Sequence, residues 1–134
     1  MKPMTKEQEA EIRATAPDLF RASAAPSPFT QRGFETAAGW FLLVLDTSRK
    51  LQAEIERLPF GDRSLYVATQ VKSKFGRLRF YLSRGTLKMF EIIEEAEARS
   101  GHLCETCGEA GKRSSEGSGV CTACETHLPS PNGG

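Results

Sequence analysis

No apolar run in this 134-residue chain approaches the roughly 20 residues that cross a bilayer. The opening residues, Met1-Lys2-Pro3-Met4-Thr5-Lys6-Glu7-Gln8-Glu9, lack the apolar stretch of a signal peptide. No sign of charge dominates either. Eighteen Lys and Arg against seventeen Asp and Glu leave a net charge of +1, which argues against general polyanion binding but permits a local basic patch. Catalytic constellations are absent: there is no nucleophile–base pair, no paired carboxylates and no glycine-rich phosphate loop, so no enzyme is expected. These absences predict a cytoplasmic protein without a membrane partner. In that compartment thiols stay reduced, and Cys-x-x-Cys motifs read as metal or redox sites before disulfides.

What is present begins with helix signals. Thr5 and Gln8 fit a capping box for a short polar helix over 6–15, which Pro17 stops. Ala22-Ser23-Ala24-Ala25-Pro26-Ser27-Pro28 reads as a loop. A longer helix is expected from about Thr36 to Leu58, with Trp40, Phe41, Val44, Leu51, Ile55 and Leu58 on one face. Leu42, Leu43 and Leu45 widen that face, so its first half is expected to be buried on several sides. Trp40, which begins the apolar stripe, reads as a core anchor. Alternation over Leu65–Lys72 and Arg77–Leu82 predicts two strands, joined at Lys74-Phe75-Gly76 with Gly76 suited to a positive φ. Thr86 can cap a second helix to about Ser100, with Met89, Phe90, Ile93 and Ala96 toward the core.

From Gly101 large hydrophobic residues nearly vanish, and such a segment needs a staple to order it. All four cysteines fall here, as Cys104-Glu105-Thr106-Cys107 and Cys121-Thr122-Ala123-Cys124, spaced C-x2-C-x13-C-x2-C. Zinc favours four tetrahedral thiolate or imidazole ligands, and a two-residue gap on a tight turn lets both sulfurs face one ion. The expectation is one structural Zn2+ held by Cys104, Cys107, Cys121 and Cys124. His127 follows Cys124 at a two-residue gap, making it the alternative fourth ligand to Cys121. Gly108 suits the left-handed turn after the first pair, and the intervening Gly111, Gly117 and Gly119 suit a short hairpin or flexible loop. His102 lies outside ligand spacing and reads as linker.

The predicted fold class is α+β: a long helix, a β-hairpin and a second helix form a small core, followed by a C-terminal zinc-ribbon or treble-clef-like lobe. The chain divides into an N-terminal short helix and Pro/Ala/Ser loop over 1–32, an α-β-β-α core over 33–100, the zinc-binding lobe over 101–128 and a disordered tail over 129–134.

Several blocks carry a resemblance. They are Pro17-Asp18-Leu19-Phe20, Gly33-Phe34-Glu35 leading to Gly39-Trp40, the run Gln70-Val71-Lys72-Ser73-Lys74-Phe75-Gly76-Arg77-Leu78-Arg79-Phe80-Tyr81, Ala96-Glu97-Ala98-Arg99-Ser100 and Cys104-Glu105-Thr106-Cys107-Gly108. Together they resemble a family of small zinc-ribbon-like proteins of unassigned function, common in bacteriophage and prophage genomes. The resemblance covers about residues 8 to 127. It implies Cys104, Cys107, Cys124 and His127 as ligands and Cys121 as an extra thiol. Val120 stands where the family pattern carries a tryptophan. For a phage-encoded chain, the resemblance also implies residence in the bacterial host cytoplasm.

Between Asp62 and Glu91 there is no acidic residue but seven basic ones. In the strand reading Lys72, Lys74, Arg77, Arg79 and Tyr81 share the face opposite Val71, Leu78 and Phe80. Such a face could track a phosphate backbone and stack a base. The bland reading pairs these charges with the glutamates of the following helix or leaves them in water. The functional expectation is therefore a zinc-stabilised interaction module of phage or prophage type. It would bind a host or phage protein, with interference in a host or antiviral-defence system as one role. The alternative is a DNA- or RNA-binding protein using the basic hairpin and zinc lobe.

Overall fold

The computed structural model describes residues 2–22, 26–114 and 121–127, so the expected tail over 129–134 lies outside the described residues. Helix α1 spans Lys6–Thr15. Its capping box is formed: the Gln8 N–H donates to Thr5 Oγ1 at 3.1 Å, and the Thr5 N–H donates to Gln8 Oε1 at 3.0 Å. The one large apolar residue of the helix, Ile12, is fully buried. The next turn is held from a distance. Gln52 of the long helix accepts the N–H groups of Asp18 and Leu19 through Oε1 and donates to Asp18 Oδ2. That amide, ahead of opposing desolvation and with help from Arg21 and Arg63, holds the Asp18 carboxyl below its usual pKa.

Pro28, expected in a loop, instead starts a short helix, α2 (Pro28–Arg32), with Ser27 as its cap. Proline at the first helical position loses no hydrogen bond, so the residue that breaks a helix interior also begins one. Gly33 ends α2, and Phe34–Glu35 form β1, a strand that the sequence does not announce. Phe20, Phe29 and Phe34 pack with ring centroids 5.0–5.2 Å apart, and the Arg13 guanidinium lies over Phe29 and Phe34.

The long helix α3 runs over Phe41–Glu56, later than expected, after a 3-10 turn at Ala38–Trp40. The delay has a cause distant in the chain. The Gly39 N–H donates to the Glu105 carbonyl at 2.8 Å, and Gly39 lies so close to Cys104 and Glu105 that a Cβ there would sit 2.3 Å from the Cys104 carbonyl oxygen. The chain must leave that contact before an α-helix can start. Trp40 is fully buried, as expected, and its indole N–H donates to the Leu103 carbonyl at 2.9 Å. Leu43 and Leu45 are buried, but Leu42 is 71% exposed, which corrects the expectation that this whole end is covered.

Leu65, expected in a strand, belongs to a 3-10 segment over Phe60–Leu65. Strand β2 covers Ala68–Lys74 and β3 covers Arg77–Leu82, antiparallel, with a bulge between Ala68 and Gln70. Phe75 and Gly76 between them have φ of 55° and 77°, the two positive values of a type I′ hairpin turn. β1 joins β2 in parallel, pairing Phe34 with Val71, so the sheet order is β1-β2-β3. Thr86 caps α4 (Leu87–Ser100) by accepting the Met89 N–H. Met89, Ile93 and Ala96 face the core, whereas Phe90, expected with them, is 51% exposed.

α3 packs between α1 and α4, and α4 also lies along β3. The buried Ser100 hydroxyl accepts the Leu78 N–H at 2.9 Å, satisfying a backbone donor of the edge strand. One hydrophobic cluster collects Ile12, Leu19, Trp40, Leu51, Ile55, Val71, Leu78 and Met89, so residues 1–32 share the core of residues 33–100. The architecture is mixed α+β. Among the described residues no helix is long and apolar enough to cross a membrane.

Candidate metal centre

The first half of the site is a turn. The Gly108 N–H donates to the Cys104 carbonyl and the Cys104 N–H to the Glu109 carbonyl, each at 2.8 Å. Gly108 takes the expected left-handed conformation, with φ of 80°. Its position against the Gly39 carbonyl would leave a Cβ only 2.8 Å away, a second reason for glycine. The chain then forms the expected short hairpin, β4 (Lys112–Ser114) antiparallel to β5 (Cys121–Ala123). The second half follows as a 3-10 turn at Glu125–His127, in which the His127 N–H donates to the Cys124 carbonyl.

These two turns bring Cys104, Cys107, Cys124 and His127 together, their ligand atoms all within 4.8 Å of one another. Cys107 Sγ lies 3.6 Å from Cys124 Sγ, and His127 Nδ1 lies 3.5 Å from Cys104 Sγ and 3.0 Å from Cys124 Sγ. Metal–sulfur and metal–nitrogen bonds of zinc-site length set tetrahedral edges of about 3.8 Å between sulfurs and about 3.6 Å between sulfur and nitrogen. The set could hold a metal ion.

Cys121 stands outside this group. Pair spacing favours it over His127, but spacing brings two sulfurs together only where the backbone turns. Residues 121–123 are extended in β5, and the two strand steps between them carry the chain about 7 Å before Cys124 is reached. The pair Cys124 and His127 is the one that wraps.

Electrostatics fit the donor set. Burial raises the Cys104 pKa, but N–H groups of Cys124, Cys107 and Thr106, with the Cys107 thiol, outweigh it and lower the value to about 6. At Cys107 the amide-side hydrogen bond near Glu109 favours the thiolate, yet burial, Cys124 and Cys104 together raise the pKa. Burial, then Glu105 and Cys104, raise that of Cys121. Crowded sulfurs resist sharing negative charge, a repulsion that a bound cation would relieve.

A residue inside the first Cys-x-x-Cys ties the lobe to the core. Glu105 is 1% exposed. Its Oε1 accepts from Ser73 Oγ on β2 at 2.5 Å, and its Oε2 accepts the Thr122 N–H at 2.8 Å. Its backbone N–H donates to the Thr122 carbonyl. Thr122 Oγ1 in turn donates to the Gly76 carbonyl at 2.5 Å, and Arg113 Nε donates to the Phe75 carbonyl at 2.6 Å. The lobe therefore grips the tip of the β2–β3 hairpin. Sequence reasoning misses Glu105, because an acidic residue between two ligands ordinarily faces water, and its partner Ser73 is distant in the chain.

The hairpin residues take the expected face. Register pairs Lys72 with Arg79, Lys74 with Arg77 and Gln70 with Tyr81. Arg79 is bound to Glu97 of α4 at 2.7 Å, as the bland reading holds for that residue, and Lys72 lies opposite Glu35 of β1. Lys74, Arg77 and Tyr81 are exposed. No family model, curated protein or solved structure matches this chain.

Proposed function

We propose that this chain is a non-catalytic binding module whose C-terminal lobe folds around one structural zinc ion held by Cys104, Cys107, Cys124 and His127. The observation that supports the reading is the convergence of four soft or borderline donors within 4.8 Å of one another, with the Cys107–Cys124 and Cys104–His127 separations near tetrahedral edges at zinc bond lengths and the Cys124–His127 separation, 3.0 Å, shorter. Three sulfurs and an imidazole suit zinc among the common divalent ions. Four protein donors fill a tetrahedral ion, leaving no position for a substrate or an activated water. Purified protein should contain one zinc per chain, and chelation should disorder the lobe. Protein that folds identically without metal would refute the reading.

The partner divides the reading in two. The phage-type resemblance implies a host or phage protein, with interference in a defence system as the role. A nucleic acid is favoured by one specific arrangement: Lys72, Lys74 and Arg77 share a strand face with Tyr81, and Arg113 of the lobe reaches the same hairpin. Our preference is the nucleic acid. Replacing Lys72, Lys74 and Arg77 with alanine should then weaken salt-dependent DNA or RNA binding and flatten its salt dependence by about two log units per log unit of salt for a single strand. A variant that binds as tightly as the parent returns the assignment to a protein partner.

A further inference from the structure

Phe75 is placed where a phenylalanine has no structural reason to be. It occupies the first position of a type I′ turn at φ 55°, a region where a bulky side chain is an outlier and Asn, Asp or Gly is the usual occupant. The residue is 57% exposed, so burial does little to offset the strain. Strain kept at an exposed aromatic residue is the pattern of a working surface.

Its surroundings say what the ring can take. The Lys74 ammonium lies 5.6 Å from the ring centroid. Arg77 is the cross-strand partner of Lys74, and Arg113 donates to the carbonyl of Phe75 itself. The next rows of the same face carry Lys72 with Arg79, then Gln70 with Tyr81, each row about 7 Å further on. The face thus runs from Phe75 in the turn to Tyr81 with cations between, of which Arg79 is paired with Glu97 and Lys72 stands beside Glu35, leaving Lys74 and Arg77 as the exposed pair. The tip is also held still. The Gly76 carbonyl accepts from Thr122, and a Cβ on Gly76 would meet the backbone of Cys121 at 2.9 Å.

We infer that Phe75 is a stacking platform for an unpaired base of single-stranded nucleic acid, with Lys74, Arg77 and Arg113 contacting the adjoining phosphates. This rests on the nucleic-acid reading above and narrows it. An aromatic face offers nothing to a base stacked inside a duplex, whereas single strands expose both base faces and backbone. The metal lobe then acts on binding indirectly, by fixing the turn that presents the ring.

The test uses the full chain with its metal and fluorescein-labelled dT12, rU12 and a 12-base-pair duplex at low salt. Phe75→Asn suits the turn, so its fold should survive with an equal or higher melting temperature. It should bind the single strands about tenfold more weakly or worse and the duplex as the parent does. Phe75→Trp should retain single-strand affinity. The DNA and RNA arms report which sugar the site prefers. If the parent binds single strands and Phe75→Asn binds them equally well, the platform is refuted while the basic hairpin stands. If the parent binds none of the three probes at low salt, the nucleic-acid reading and the platform fall together.

Discussion

Through residue 100 the chain completely buries Trp40, Leu51, Ile55, Val71 and Leu78, with α3 packed between α1 and α4, and α2 and α4 against the sheet. Beyond it, the buried residues among those described are Cys104, Glu105, Thr122 and Ala123. The first region has enough apolar surface to offset the entropy of ordering its backbone; the second does not. What it has instead is a few directional contacts, namely those of Glu105 and two hairpin carbonyls, and a Cys/His cluster that could hold a metal ion. Dense packing spreads stability over many residues. A lobe built on directional bonds concentrates it, so single substitutions there should act locally and severely.

Metal removal is the strongest way to break that comparison. Structural zinc in small lobes contributes apparent free energies on the order of 10 kcal/mol. In Cys104→Ala, amides of residues 101–114 and 121–127 should lose hydrogen-exchange protection while α1, α3 and α4 keep their helical circular dichroism. His127→Ala should weaken metal binding by more than the roughly 10–100-fold that loss of an outer-shell partner costs. A lobe that stays protected without metal would mean that its hydrogen bonds to the core suffice.

Glu105 tests the joint between the two regions. Glu105→Ala leaves the Thr122 N–H without its acceptor and removes the bond to Ser73. A buried donor orphaned this way, together with a lost charged acceptor, should cost about 3 kcal/mol in chemical denaturation. Glu105→Gln keeps one acceptor and should recover part of it. A change below about 0.5 kcal/mol in Glu105→Ala would show that lobe and core do not depend on this carboxylate.

Much of the core was legible because its signals are local. Thr5 with Gln8, Thr86 with Met89, and Gly76 in its turn each act within a few residues. What escaped depends on distant chain. β1 has two residues, too few for periodicity, and exists because Phe34 pairs with Val71. The late start of α3 follows from Gly39 bonding to Glu105. Pro28 read as loop because a proline's role turns on whether a cap precedes it. At the metal centre, spacing identified three members of the cluster, Cys104, Cys107 and Cys124. For the fourth, spacing favoured Cys121, whereas the cluster contains His127, because an x2 gap looks the same in a strand and in a turn. The β4–β5 pairing decides which it is.

A smaller effect is expected within the core, where packing should absorb the loss of a single polar contact. Ser100→Ala removes the acceptor of the Leu78 N–H without opening a large cavity. One unpaired buried amide should cost about 1–2 kcal/mol, spread over global unfolding, with no selective loosening of α4 in hydrogen exchange. Selective loosening would make the edge of this sheet as dependent on one directional bond as the lobe is.

The smallest effect is expected at Cys121, and it sharpens the comparison most. Cys121 sits in β5 beside the cluster, but the extended backbone between it and Cys124 keeps the two sulfurs from converging on one ion. Cys121→Ser keeps the size and the strand, so stability should change by no more than about 0.5 kcal/mol, and zinc stoichiometry should stay at one per chain. The contrast with His127→Ala is the informative quantity: one residue three positions before Cys124 is silent, and one three positions after is essential. If Cys121→Ser released the metal while His127→Ala retained it, the second ligand pair would be Cys121 and Cys124. The strand would then have to bend around the ion, and the register joining Thr122 to Glu105 and Gly76 would have to be rebuilt.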